Sequence, residues 1–568
     1  MKTIHKIPCL FLLLAFALQA FAAPEAEYGK LSKTYILKED GSREFRCQME
    51  LTLFTHTAMN GTYGESFIVY DPAYQELKIH TSYTRQKDGT IITRPENAFV
   101  EVLPAQAADA PAYNRLREMV VVHTGLELGA TIYLDYSILT KPGYLPELDI
   151  CEPIEQTSPV KDYTIRIEAP ADKPLFYTLL NSSARPVVSK ANGNKVVWNI
   201  RNLPAASREP QASALGGDVQ WLVASTYPSA GEALKVLSKQ LTPKGDMPLL
   251  SLSESLTEGL TSDTEKLQAI LRHLVDHIGY SRLSLQETGF RLRPSDEVIP
   301  SAYGTEAEKV NLLAGLLDAA GIRCEIIASY PKNIEINTCG LSAILELFVS
   351  AQADGKTYLL TPKGKVMSDA GRQTAYKQYL SLSNPGKELS LEPPSFAIDY
   401  QYVLSVSAGK ADIQAKGSLG EAFIPYTETK KEKELTDNTS QLLRSHEGYC
   451  VLSLPEATAG LAHAPYSRYN SRRSANLLLP YAAKERYSYT IHLAEGMELS
   501  TPVYTKTIDN PVGKVFISLK QNGESIELIR ELEINKQWIS PADYPAFRRL
   551  MVEWAERNNR QLLVRTSE

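Results

Sequence analysis

Asp-Gly and Asn-Gly pairs recur along this chain between runs of alternating apolar residues. They occur at Asp40-Gly41, Asp88-Gly89, Asn192-Gly193, Asp354-Gly355 and Asn522-Gly523. A two-residue turn of this kind needs positive φ, which Gly and Asn tolerate, and its twist matches that of paired antiparallel strands. The pattern commits most of the chain to hairpins. Val187-Val188-Ser189 and Val196-Val197-Trp198-Asn199-Ile200 flank one such turn. In Thr131 to Ile138, residues Ile132, Leu134, Tyr136 and Ile138 fall on one face, as a half-buried strand requires. Thirty Tyr against eight Met agree with strand-rich packing. Residues 23–235 therefore read as an N-terminal antiparallel β-sandwich domain.

The periodicity changes near residue 240. Ser262 and Glu265 form a capping box that opens an amphipathic helix whose stripe is Leu267, Ile270, Leu271, Leu274 and Ile278. Thr305 and Glu308 open a second, lined by Val310, Leu313, Leu316, Leu317 and Ala320, with Gly321 placed as its C-terminal cap. A strand from Cys324 to Ser329 and a hairpin from Ile344 to Leu360 follow. These features define a central α+β unit over 240–385. Asn384 to Pro394, rich in Pro, Gly, Ser and charge, reads as a linker. Strands return in a C-terminal β-sandwich domain over 395–568, which closes with a helix. Ser540 is its expected N-cap, Pro541 lies in its first turn, and Phe547, Leu550, Met551 and Trp554 form its apolar face. The fold class is multidomain α+β, mostly β. A chain of 568 residues suits about three or four domains at roughly 100–200 residues each.

The N-terminus predicts export. Lys2 and Lys6 precede an apolar run from Ile7 to Phe21, and Ala20-Phe21-Ala22 fits a signal-peptidase site. Residues 1–22 are the expected signal peptide, which gives a periplasmic or secreted protein. No later stretch approaches the roughly 20 apolar residues of a membrane helix. A formal net charge of −6 without a basic run gives no electrostatic case for nucleic acid. Of six cysteines, Cys9 lies in the leader. Cys47, Cys151, Cys324, Cys339 and Cys450 are scattered and odd in number, which reads as buried thiols rather than a disulfide framework. His273 and His277 share a helix face at a spacing that can hold zinc, but no third ligand accompanies them, and a half-exposed flank is the simpler reading. No metal or cofactor is expected. Lys430-Lys431-Glu432-Lys433-Glu434 mixes both charges and reads as solvated surface.

Residues 262 to 362 resemble the transglutaminase-like superfamily, whose fold is shared with papain-type cysteine proteases. The run Tyr303-Gly304-Thr305-Glu306-Ala307-Glu308-Lys309, then Leu312-Leu313 and Leu316-Leu317-Asp318-Ala319-Ala320-Gly321-Ile322, carries the likeness. Bacterial members typically show Tyr-Gly-Asp-Cys-x-Asp-Lys and a Leu-rich helix ending in Ala-Gly-Ile. Ile278-Gly279-Tyr280, Arg293-Pro294, Glu297-Val298 and Asp354 to Leu360 also fit. Gly129 to Ile138 and Pro153 to Pro170 resemble an N-terminal β domain of unknown function that accompanies this core in exported bacterial proteins, and Ser540 to Pro545 resembles their closing segment.

The resemblance implies a Cys–His–Asp triad, and the sequence departs from it at all three places. Glu306 stands at the Cys position, Glu346, within a residue or two, at the His position, and Thr361 at the Asp position. No His lies between His277 and His446. With no catalytic residue identified, Glu306, Glu346 and Thr361 are the vestigial-site candidates. The expectation is a noncatalytic exported protein with a pseudo-transglutaminase core that binds a protein, peptide or glycan partner in the cell envelope. A first alternative is a hydrolase of another class with Glu306 and Glu346 as acid and base; two carboxylates sharing the cleft would repel and raise one pKa. A second is a carbohydrate-binding protein with Tyr-rich β surfaces.

Overall fold

The computed structural model describes residues 24–566, apart from 94, 192, 211, 213–218, 243–244, 364–376, 392–394, 408, 421–441, 465–471 and 480–481. The expected signal peptide, Asn192, the last residues of the expected linker and the Lys430–Glu434 run lie outside the described residues.

The N-terminal unit is built on an eight-stranded sheet. Its spatial order is Val187–Ser189, Asn194–Leu203, Val160–Ala169, Ala26–Leu37, Arg43–Leu53, Thr131–Thr140, Gln75–Arg85 and Ile91–Thr93. One face carries Leu31, Leu51, Ile132, Tyr163, Ile167 and Trp198 into a core shared with Leu179, Leu222 and Ala224. Those last residues belong to a three-stranded sheet of Phe176–Leu180, Trp221–Ser225 and Asp149–Pro153, so the layers form the expected sandwich. A second small sheet, Glu65–Tyr70, Arg117–Val122 and Phe99–Val102, covers Leu134 with Ile68 and Val121. The sheet is not purely antiparallel: Ala26–Leu37 runs parallel to Val160–Ala169. These strands are joined by a long excursion rather than a hairpin, so no tight turn fixes their relative direction.

In the central unit both capping boxes are present, at Ser262 with Glu265 and at Thr305 with Glu308. Helix Asp263–His277 buries Leu267, Ile270, Leu271 and Leu274. Helix Glu306–Ala319 is buried nearly all round, including Glu308, Lys309 and Asn311, because it runs through the middle of the domain. Gly321, at φ +79°, ends it, and Ile322 N–H reaches back to the Leu317 carbonyl at 2.9 Å. Helices Ala230–Ser238, Met247–Thr257 and Ser295–Ser301 complete the helical layer. They pack on a five-stranded sheet ordered Lys356–Leu360, Glu346–Ala353, Cys324–Pro331, Lys377–Ser381 and Glu388–Leu389. The Asp354-Gly355 hairpin has φ of +46° and +75°, the two positive values that a two-residue turn of this hand needs.

The C-terminal unit joins a six-stranded sheet to a four-stranded one over a core of Tyr402, Tyr487, Tyr489, Ile517, Leu528, Leu452 and Leu562. Helix Tyr544–Ala555 docks Phe547, Leu550, Met551 and Trp554 into it. Two expectations are corrected. The helix begins after Asp543, with Pro545 in its first turn; Ser540 Oγ instead accepts from Asp543 N–H at 3.1 Å in the preceding turn. The chain also does not end there, because Gln561–Thr566 forms a further strand between Tyr449–Ser453 and Met497–Leu499. Six residues with no turn signature before them gave no reason to expect it. Among the described residues no helix is long and apolar enough to cross a membrane.

Candidate functional site

A cleft of about 300 Å³ opens in the central unit. Its walls are the segment from Tyr280 to Phe290, the start of the helix at Thr305 to Ala307, and Leu341 to Leu347. The capping box places the first helical residue, Glu306, at its rim. There the acidic side chain suits the positive end of the helix dipole. Its Oε1 accepts from Leu347 N–H at 3.3 Å, its Oε2 accepts from Tyr280 Oη–H at 3.1 Å, and Lys363 forms an ion pair with the same oxygen. The Lys363 ammonium also lies 5.4 Å from the centre of the Tyr280 ring. The Lys363 pKa is raised, burial opposing and Glu306 supplying the lift.

Glu346, at the start of strand Glu346–Ala353, lines the same cleft, and its Oε2 pairs with Lys377 at 3.1 Å. Both partners are largely buried, with side-chain exposures of 7% for Lys377 and 17% for Glu346. Burial raises the Glu346 carboxyl above its ordinary value, Lys377 opposes the rise, and the Glu306 charge adds to it. The structure thus brings Glu306 and Glu346 together, with a lysine on each. Thr361 is not part of this group. It is buried, its hydroxyl has no hydrogen-bond partner among the described residues, and it is not among the residues that line the cleft.

The strongest polar assembly beside the cleft is one that the sequence showed only as half of a capping box. The Glu308 side chain is fully buried. Its Oε1 receives Arg293 Nε–H at 3.0 Å, Arg293 N–H at 3.0 Å and Tyr113 Oη–H at 2.5 Å; its Oε2 receives Arg293 Nη2–H at 3.1 Å and Thr305 N–H at 2.8 Å. Arg293 lies over the rings of Tyr303 at 4.4 Å and Tyr113 at 5.6 Å. Burial acts to raise the Glu308 pKa, but Arg293, Tyr113 and Thr305 overcome it, and the carboxyl lies below its usual range. Tyr113 belongs to the N-terminal unit, so this carboxylate pins the two units together. Arg293 and Tyr303 were legible in the motif; Tyr113, almost two hundred residues away, carried no local signal.

The cysteines lie elsewhere. Cys47, Cys151, Cys339 and Cys450 are free thiols. Cys339 is buried with its Sγ toward the Ile336 carbonyl at 3.7 Å, and the Cys324 Sγ faces the Ala314 carbonyl at 3.4 Å. Burial pushes the Cys47 thiol up to about 11 and that of Cys151 to about 12. His273 and His277 sit with ring centres 5.1 Å apart on their helix. Among the described residues no group of three His, Cys, Asp or Glu is gathered to hold a metal. The tyrosine pairs Tyr83–Tyr133 and Tyr74–Tyr144 stack on each other, at 4.5 and 4.4 Å between ring centres. Arg85 covers Tyr133, and Arg291 lies over both Tyr74 and Tyr144.

Three family models match in series. DUF3857, a domain of unknown function with solved structure, covers residues 39–207; the transglutaminase-like superfamily core covers 250–358; DUF3858, a second domain of unknown function with solved structure, covers 449–564. A solved structure described as a putative protease from Parabacteroides distasonis is 42% identical, matching 95% of this chain and 99% of its own, at a TM-score of 0.80. Another, described as a putative cysteine protease from Cytophaga hutchinsonii, is 10% identical over 47% of this chain and 88% of its own, at a TM-score of 0.18. No curated protein matches.

Proposed function

The chain belongs to the transglutaminase-like superfamily, its core set between a DUF3857 and a DUF3858 domain, and from that premise we propose that it is a noncatalytic member that works by binding. The observation that carries this reading is the make-up of the cleft: none of the described residues that line it is Cys or His. Thiol acyl transfer and thiol proteolysis both need a thiolate activated by an imidazole. In this reading Glu306 holds the nucleophile's place at the helix start, Glu346 the imidazole's, and Thr361 that of the orienting acid. The buried thiols, with pKa values raised by desolvation, support it further.

The binding role is exercised in the cell envelope, after removal of residues 1–22, toward a protein, peptide or glycan partner. The core braces the N-terminal β domain through contacts such as Tyr113 to Glu308. Proteolysis of the kind for which the Parabacteroides relative is named would need a nucleophile that the described residues of this cleft do not supply. The test is direct. Purified protein, supplied with a glutamine donor and a labelled amine, or with a quenched peptide substrate, is expected to show no turnover sensitive to thiol alkylation. Thiol-dependent turnover abolished by changing one cysteine to Ala would overturn the reading. N-terminal sequencing of the protein from periplasmic extract is expected to begin near Ala23; an uncleaved leader would contradict export by this route.

A second reading rests on Glu306 and Glu346 lining one cleft with the Glu346 carboxyl raised, as a hydrolytic acid–base pair would have it. Against it, Lys363 and Lys377 each hold one carboxylate as an ion pair, and a general acid must carry its proton. Glycosidase or peptidase activity lost in Glu346→Gln would favour this reading over the first. Against the glycan-platform reading, Tyr74 with Tyr144 and Tyr83 with Tyr133 stack on each other rather than lying open side by side.

A further inference from the structure

Strand Tyr504–Asn510 stands last in the order of the six-stranded sheet of the C-terminal unit. It pairs along its whole length with strand Gly513–Asn522, from Tyr504 opposite Leu519 to Asn510 opposite Gly513. Its other edge is open: among the described residues, Thr505 to Asp509 make no backbone hydrogen bond beyond that pairing. Thr505, Lys506 and Thr507 are all exposed. An open edge presents a row of N–H and C=O groups on which another extended chain can pair, and proteins commonly guard it with an outward lysine. Here the edge lysine is folded back, with Lys506 Nζ 2.6 Å from Glu553 Oε2 on helix Tyr544–Ala555.

That helix turns the edge into a groove. Its buried stripe, Phe547, Leu550, Met551 and Trp554, seats it in the core. A second stripe, Pro545, Arg548, Arg549 and Val552, recurs at i, i+3, i+4 and i+7, so it shares one flank, and all four residues are exposed. This flank and the strand residues Lys506, Thr507 and Ile508 line a groove of about 340 Å³. Successive residues of a strand point to opposite faces. A groove lined by three in succession, and by none of the neighbouring strand Gly513–Asn522, lies along the open edge. A strand edge beside a helix flank is a setting in which an extended peptide can add to a sheet, with main-chain bonds giving affinity and alternate side chains giving specificity.

The charge of the groove decides what kind of peptide belongs there. Lys506, Arg548 and Arg549 are its cations, and Glu553 is the one carboxylate among the described residues that line it. Glu553 is only 12% exposed and is already engaged, by Lys506 and by Asn559 Nδ2–H at 2.5 Å. Arg548 and Arg549 make no ion pair or hydrogen bond among the described residues. In a chain of net charge −6, two such guanidiniums on one flank are a local excess of positive charge. A nucleic acid or other polyanion would use the arginines and leave the edge unpaired, whereas an extended acidic polypeptide uses both. We propose that this groove binds an extended acidic peptide, which pairs its main chain with the open edge of strand Tyr504–Asn510 and sets its carboxylates on Arg548 and Arg549. The site lies in the C-terminal unit and shares no residue with the cleft, so it stands whether or not the cleft turns anything over.

The test uses the full-length mature protein and a short dye-labelled peptide amide of alternating Glu and Thr, followed by fluorescence anisotropy. The peptide is expected to bind, to bind less well at high salt, and to lose binding when Lys replaces Glu. Two further versions carry N-methyl groups on the Glu residues alone or on the Thr residues alone. Alternate N–H groups of a strand point to the same edge, so the version whose methyls face the protein is expected to lose binding and the other to keep it. Retention by both, or loss by both, would overturn the main-chain pairing. The double variant Arg548→Glu, Arg549→Glu changes two exposed side chains and is expected to weaken binding by at least about tenfold while circular dichroism and melting stay native-like. Unchanged affinity in that folded variant, full displacement by an oligothymidylate of equal charge, or absence of binding to the unaltered protein would overturn the proposal. The methylated pair needs no variant and decides the matter even if the double variant does not fold. Turnover by the cleft would refute the noncatalytic reading and leave these readouts unchanged.

Discussion

The Glu308 pin allows a stability prediction that separates a structural carboxylate from an ornamental one. Glu308→Ala removes a fully buried charge and strands what it held: the Arg293 guanidinium, only 12% exposed, the Tyr113 hydroxyl, and the Thr305 and Arg293 amides. Removing one partner of a buried ion pair costs about 3–5 kcal/mol, because the other charge stays buried and uncompensated. Glu232→Ala, which breaks the exposed Lys235 pair on helix Ala230–Ser238, should cost no more than about 0.5 kcal/mol. Urea unfolding would be followed by circular dichroism together with amide exchange in helix Glu306–Ala319, since a chain of several domains need not unfold in one step. Tyr113→Phe should cost about 1.5–3 kcal/mol on its own, as a hydrogen bond to a charged group. The double variant should fall short of the sum by at least about 1 kcal/mol, because the two residues share one bond. Full additivity, or a loss under about 1 kcal/mol for Glu308→Ala, would refute the pin. The sign with pH follows from the lowered carboxyl: its stabilisation is present above the unfolded pKa and is lost as pH falls through the folded one, so acid should loosen the N-terminal unit from the core first.

Three further outcomes are expected. Burial raises the Glu485 carboxyl to about 7, so its protonated form stabilises the fold below the unfolded value and that contribution is lost as pH rises through about 7; Glu485→Gln should gain about 2–3 kcal/mol at pH 8 and little at pH 4, read from urea midpoints. An equal effect at both pH values would contradict this. A Cβ on Gly340 would stand 2.5 Å from Asp149 Oδ1, across the junction of the N-terminal unit and the core, so Gly340→Ala should cost about 1–3 kcal/mol and raise proteolysis at that junction. Native protein treated with iodoacetamide at pH 8 should leave Cys47, Cys151 and Cys339 largely unlabelled by mass spectrometry, with full labelling only after denaturation; rapid native labelling of any one would place a reactive thiol where burial now argues against it.

What the sequence made legible was local. Both capping boxes, the Gly321 cap and the Asp354-Gly355 turn are short-range hydrogen-bond and φ requirements, and each sits where its residues placed it. Alternation in Thr131–Thr140 likewise put Ile132 and Leu134 on the inner face. The sequence did not carry the parallel pairing of Ala26–Leu37 with Val160–Ala169, because two strands so far apart share no turn. The lysines of the cleft were equally hidden. Lys377 reaches Glu346 from two strands away in the five-stranded sheet, Lys363 reaches Glu306 from beyond the end of strand Lys356–Leu360, and a carboxylate read without its counter-ion looks more reactive than it is. Thr361 was given its place by counting along a hairpin; it is buried, and it is not among the described residues that line the cleft.

The ion pairs of the cleft bear on what a ligand would meet there. In the cleft each carboxylate has a lysine, and Glu306 also takes a tyrosine hydroxyl and a backbone amide. An incoming ligand would have to compete with contacts already made, and affinity is only the surplus over what is given up.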